Sequence, residues 1–178
     1  KILNIIKILI NAKTSNKDIT FKQLHDKYNK NLIVAATCIN TSCVEYFNYE
    51  NNPDMKVVDA IHMSISIPFI FTPVSFNDKL YVDGGVLNGY PINYFDDNIE
   101  ETIGILIGND NDLKIDNIED YTLSVVFCGL FNIKKSMYEK YKDNTILVNV
   151  DSECDGFNFF IDKSNKETLV KCGSYCCI

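Results

Sequence analysis

Between Asp59 and Asn93 the chain reads DAIHMSISIPFIFTPVSFNDKLYVDGGVLNGYPIN, and this stretch constrains the fold more than any other. Pro68 biases Ile67 away from the α region, so a helix over residues 55–66 has to stop there. A short hairpin follows. Leu80, Tyr81 and Val82 read as a buried strand end, which puts Asp83 where the strand stops. That is where open α/β sheets place their working residues. Gly84 and Gly85 lack Cβ, so the chain can turn at positive φ and leave room beside the carboxylate for a ligand or a neighbouring loop. Pro91 marks a second break. Alone, Asp-Gly-Gly reads as a plain β-turn; its context gives it a second meaning.

The rest of the chain alternates helical and strand patterns. Residues 1–12 read as the end of an amphipathic helix, with Lys7 inside the apolar run Ile2 to Ile10. Thr20 is an N-cap for a helix over residues 21–28, with Phe21, Leu24 and Tyr28 inward and His25 beside that stripe. Asn31 to Cys38 is a continuous apolar run and reads as a fully buried strand; Ser42 to Tyr49 alternates like an edge strand. Thr102 to Ile107 and Thr145 to Val150 are two more buried runs. A helix over residues 121–141 separates them, with Leu123, Val126, Phe127, Leu130, Phe131 and Met137 inward. Ser164 caps a last helix. These patterns predict a single α/β domain over residues 1–178, a three-layer fold with a mainly parallel sheet and helices on both faces.

Charge and cysteine usage exclude several functions. The net charge is −7 and all 17 basic residues are lysine, which argues against nucleic-acid partners and against strong attraction to anionic membranes. Five carboxylates between residues 108 and 120 do not follow the calcium-loop order and read as a solvated surface loop. Seven cysteines, irregularly spaced, do not form a disulfide framework, and a reducing, cytoplasmic setting accounts for them. The cluster Cys172, Cys176, Cys177 has no second spaced pair and no nearby histidine, so neither metal nor cofactor is expected. No apolar run reaches the roughly 18 residues of a spanning helix. Ser64 and Ser66 are not flanked by glycines, so neither is on a nucleophile elbow, and His62 reads as a helix-surface residue.

The block around Asp83 resembles the C-terminal half of the patatin-like phospholipase domain. In that family a helix of the type V-x-D-A-I-x-x-S-x-x-I-P-x-x-F-x-P leads through a hairpin into a D-G-G/A turn. The matching residues are Val58, Asp59, Ala60, Ile61, Ser64, Ile67, Pro68, Phe71, Pro73, Asp83, Gly84, Gly85, Asn88 and Pro91. The resemblance, over about residues 15 to 175, implies a fold related to α/β hydrolases and a Ser–Asp dyad acting on lipid or phospholipid esters, with transient membrane-surface contact. Asp83 would be the general base, and Gly84, Gly85 and Pro68 would shape its turn. The family's serine lies in G-x-S-x-G, and a glycine-rich loop supplies the oxyanion donors. Neither motif occurs here, and the first glycine is Gly84. The expectation is therefore a nucleophile on an N-terminal remainder of the protein and an isolated chain that is inactive and exposes apolar surface. The alternative is a non-catalytic lipid-binding or protein-interaction module.

Overall fold

The computed structural model describes residues 2–108 and 115–149, with Glu167 and Val170. The chain divides into two compact units, Lys1–Gly89 and Tyr90–Ile178. The expected loop at Asp151 to Phe160, the helix capped by Ser164 and the cluster Cys172, Cys176, Cys177 lie outside the described residues, as do the side chains of Leu123, Val126 and Phe127.

The first unit opens with α1 (Ile2–Thr14) and α2 (Phe21–Tyr28). Thr20 begins α2 with a full capping box: its hydroxyl accepts the Gln23 N–H, and the Gln23 side chain accepts the Thr20 N–H. Asn29 ends the helix in the left-handed region at φ 50°, a conformation asparagine tolerates. Thr20→Ala removes one of those bonds without leaving a buried void; the expected loss is about 1 kcal/mol in urea denaturation. His25 is not isolated: its ring stacks on Tyr49 at 3.8 Å between centroids.

Four strands follow, β1 (Val34–Cys38), β2 (Cys43–Phe47), β3 (Val74–Phe76) and β4 (Lys79–Asp83), in the order β2-β1-β4-β3. Every pairing in this sheet is antiparallel, which corrects the mainly parallel, three-layer expectation. For two of the three pairings the reason is the length of the links. Parallel neighbours need a crossover of about a dozen residues or more. Four residues join β1 to β2 and two join β3 to β4, so both pairs close as hairpins. Asn77 and Asp78 sit at φ 48° and 59°, the two positive values of a hairpin turn that follows the strand twist. The burial of β1 comes from its central place and from α3 (Val57–Ser64), not from parallel pairing. Ala36 and Cys38 are fully buried against Ala60 and Met63 of α3, with Phe21, Phe47 and Tyr81 completing the core.

The second unit holds a kinked 3-10 segment (Pro91–Glu101), β5 (Gly104–Gly108), α5 (Ile118–Tyr141) and β6 (Thr145–Asn149). Here the link is a helix, and β5 pairs with β6 in parallel, Gly104 opposite Thr145 through Gly108 opposite Asn149. Leu106, Tyr90, Ile92 and Tyr141 form its core, and the Tyr90 hydroxyl bonds Thr145 Oγ1 at 2.7 Å. The other face of β5 carries Ile105 and Ile107, both well exposed. Among the described residues no helix is long and apolar enough to cross a membrane.

Candidate active site

The site is built where the break after α3 meets the end of β4. Helix α3 stops at Ser64, two residues earlier than expected, and the chain turns through Ile65 to Pro68. Ser66 is buried; its Oγ donates to the His62 carbonyl at 2.6 Å, which makes it a packing residue. The Ser66 carbonyl accepts the backbone N–H of Asp83 at 2.9 Å. Pro68 therefore positions Asp83 indirectly, by ending the helix where its next carbonyl can hold the strand end.

Asp83 is the last residue of β4, opposite Ala36 of the central strand. It is half-buried, and Oδ1 accepts the Gly85 N–H at 2.7 Å. Oδ2 has no donor among the described residues. Burial pushes the carboxyl above the usual aspartate range, and the Gly85 N–H partly offsets this by stabilising the charged form. A half-buried carboxylate with raised basicity and one open oxygen can accept a proton from a hydroxyl placed against it.

The glycines matter for a reason other than the one read from sequence. Gly84 lies at φ −61°, and among the described residues no glycine has positive φ. What Gly84 provides is close approach: a Cβ there would meet the Ala35 carbonyl oxygen at 2.6 Å. A Cβ at Gly85 would meet Oδ1 of Asp83 itself at 2.9 Å. The helical turn α4 (Gly85–Asn88) then returns the chain over β1, and the buried Asn88 donates to the Tyr46 hydroxyl at 3.4 Å. Pro91 starts the 3-10 segment of the second unit.

Sequence reasoning missed a polar crosslink on the same face of β4. The Lys79 ammonium and the Tyr81 hydroxyl both reach Glu45 of β2, at 2.9 Å and 2.8 Å, spanning the central strand. Burial opposes the charge on Glu45, but these two donors and the Lys79 charge hold its carboxyl below the usual range. Burial, then the bond to Glu45, pushes the Tyr81 hydroxyl well up. The ion pair is partly exposed and screened by solvent, so it adds little stability; it ties β2 to the strand that ends in Asp83 across β1. Alternation alone put Glu45 beside Phe47, but no local signal joins it to residues 79 and 81.

An open apolar groove of about 260 Å³ lies between α1, α2 and α3, lined by Leu9, Ile10, Ile19, Leu24, Val57 and Ile61, and Asp83 is not part of it. Among the described residues no group of three or more metal-ligating side chains is found.

The raised carboxyl affects stability with a defined sign. A group whose folded pKa is raised stabilises the fold fully below its unfolded pKa and loses that contribution as pH rises through the raised value. Asp83→Asn cannot charge. It should therefore be more stable than the native chain at neutral pH, with the gain vanishing below about pH 3.5. Urea midpoints at the two pH values check this, and a difference that does not change with pH contradicts it.

Together these observations define a mixed α/β protein with a half-buried carboxylate at a strand end, held against a glycine pair. The family profile described as "Patatin-like phospholipase" matches residues 1–96, which includes Pro68, Asp83, Gly84 and Gly85. The chain belongs to the patatin-like phospholipase family. It is 36% identical over 182 residues to an uncharacterized protein of Acanthamoeba polyphaga mimivirus, covering 94% of this chain and 59% of the relative. It is 31% identical over 172 residues to a protein of Invertebrate iridescent virus 6 described as "Probable lipid hydrolase", covering 89% and 54%. The chain thus spans a little over half the length of these relatives. Among solved structures it matches VipD from Legionella pneumophila at a TM-score of 0.50 and 15% identity, over 90% of this chain and 36% of that one.

Proposed function

We propose that this chain carries the acid/base part of a patatin-like lipid acyl ester hydrolase, with Asp83 as the general base. In this reading the Asp83 carboxylate takes the proton of a serine hydroxyl as that oxygen attacks an ester carbonyl. The ester C–O bond breaks, the alcohol leaves with that proton, and an acyl-enzyme remains, which water, deprotonated by the same carboxylate, hydrolyses to free fatty acid and regenerated serine. The serine and the oxyanion donors lie in a part of the protein N-terminal to these residues. The observation that carries the reading is the state of Asp83: half-buried, raised in pKa, with one oxygen held by Gly85 and the other open. Family membership and the similarity to a viral protein described as a "Probable lipid hydrolase" support lipid esters as the substrate class. No group in this scheme requires a metal or cofactor.

The test uses the full-length gene product. A serine-directed fluorophosphonate should label it, and it should release fatty acid from phosphatidylcholine vesicles, while the 178-residue chain alone does neither. A full-length protein that is folded, unlabelled and without turnover would overturn this reading in favour of the non-catalytic module. Because the base must be charged to act, activity should rise with pH through a limb lying above an ordinary aspartate's range.

A further inference from the structure

The segment between α3 and β3 is the most unusual backbone near Asp83. Phe69 lies at φ 68°, in the left-handed region that a bulky aromatic residue rarely enters. Such a conformation costs energy and persists only where the surroundings impose it. Its product here is exposure: Phe69 is 75% exposed and Ile70 39%. Ile67 closes the turn, its carbonyl accepting the N–H groups of Ile70 and Phe71, while Pro68 and Pro73 stiffen the two sides. Within these residues the backbone thus adopts a strained turn that leaves a phenyl ring uncovered.

The position of the tip is equally specific. The segment starts beside Ser66, whose carbonyl holds the Asp83 N–H, and ends at Val74, paired with Tyr81 two residues before Asp83. From Met63 to Asn77 there is no charged side chain. A ring in a stretch without charged side chains is suited to a fluid apolar phase, where no fixed partner is needed. The net charge of −7 and the absence of arginine in these 178 residues disfavour an electrostatic route to an anionic surface.

We infer that Phe69 and Ile70 form a lipid-inserting tip that seats the Asp83 end of the molecule on a neutral, zwitterionic lipid surface by apolar burial. This rests on the lipid-ester reading above, and it names the surface on which that chemistry takes place. The 178 residues contain no tryptophan, and in the full-length protein the Phe69→Trp signal is read as the emission added over that of the unsubstituted protein. With phosphatidylcholine vesicles its emission should shift to the blue, brominated phosphatidylcholine should quench it, and added salt should change neither. Phe69→Asp should weaken vesicle partition about tenfold or more. Phe69→Gly is the folding control: glycine accepts positive φ, so this variant should keep or raise the urea midpoint while losing partition. Emission from the Phe69→Trp variant that is neither shifted nor quenched would overturn the inference. So would emission from the full-length variant that is already blue-shifted without vesicles, which would assign the tip to the rest of the protein or, where the shift grows with protein concentration, to a second copy. The readout is independent of hydrolysis: Asp83→Asn should bind vesicles like the native chain. Insertion with an unimpaired Asp83→Asn enzyme would sink only the base, and an inert tip with an inactive Asp83→Asn enzyme only the insertion.

Discussion

Gly84→Ala is expected to destabilise the first unit by about 2–3 kcal/mol, a large part of the 5–15 kcal/mol that holds a typical domain together. The added Cβ would lie 2.6 Å from the carbonyl oxygen of Ala35 and 2.9 Å from its carbon. Both are backbone atoms of the central strand, where Ala35 pairs with Tyr46 of β2 and the next residue, Ala36, with Asp83 of β4, so they cannot move aside without disturbing the sheet. Gly85→Ala is the matched control. Its Cβ would meet a carboxylate oxygen at 2.9 Å, and that side chain can rotate away. Gly85 also begins a helical turn, where alanine is the better residue. Urea denaturation should separate the two variants by well over about 1 kcal/mol, with only Gly84→Ala unfolding early. Equal midpoints would show that the glycine pair is not held by contact with β1. On activity the order should reverse in kind: Gly85→Ala stays folded but loses turnover, because displacing Asp83 breaks its bond to the Gly85 N–H.

The features legible in the sequence were those that are local. Thr20 before the apolar stripe predicts an N-cap because its partner lies within one turn; the cap is there, and Gln23 completes it as a capping box. Pro68 ends a helix through its own ring, and Asp83 marks a strand end through the apolar run before it. Strand direction failed for a different reason. The run Asn31 to Cys38 reports burial, and burial does not distinguish a parallel strand from a central antiparallel one. The short links after β1 and between β3 and β4 did hold the answer, since neither can carry a crossover. The role of Gly84 could not be read locally, because the atom it makes room for, the Ala35 oxygen, is 49 positions earlier in the chain. The Glu45, Lys79 and Tyr81 crosslink depends on register between strands that are not adjacent in sequence. Phe69 ran against its own propensity, so no pattern could have announced a left-handed phenylalanine.

The account stands on one proton transfer, and Asp83→Asn addresses it with the least disturbance of shape. The asparagine carbonyl can still accept the Gly85 N–H, and by the linkage argument the variant is at least as stable at neutral pH. What it loses is the capacity to take a proton, which for a general base is worth at least about 100-fold in rate. The measurement is fatty-acid release from phosphatidylcholine vesicles by the full-length protein and its Asp83→Asn variant, at matched vesicle binding and with urea midpoints recorded for both. The account predicts a folded, vesicle-bound variant whose turnover falls by at least about 100-fold. A variant that hydrolyses the lipid within a few-fold of the native protein would contradict it and remove Asp83 from the chemistry.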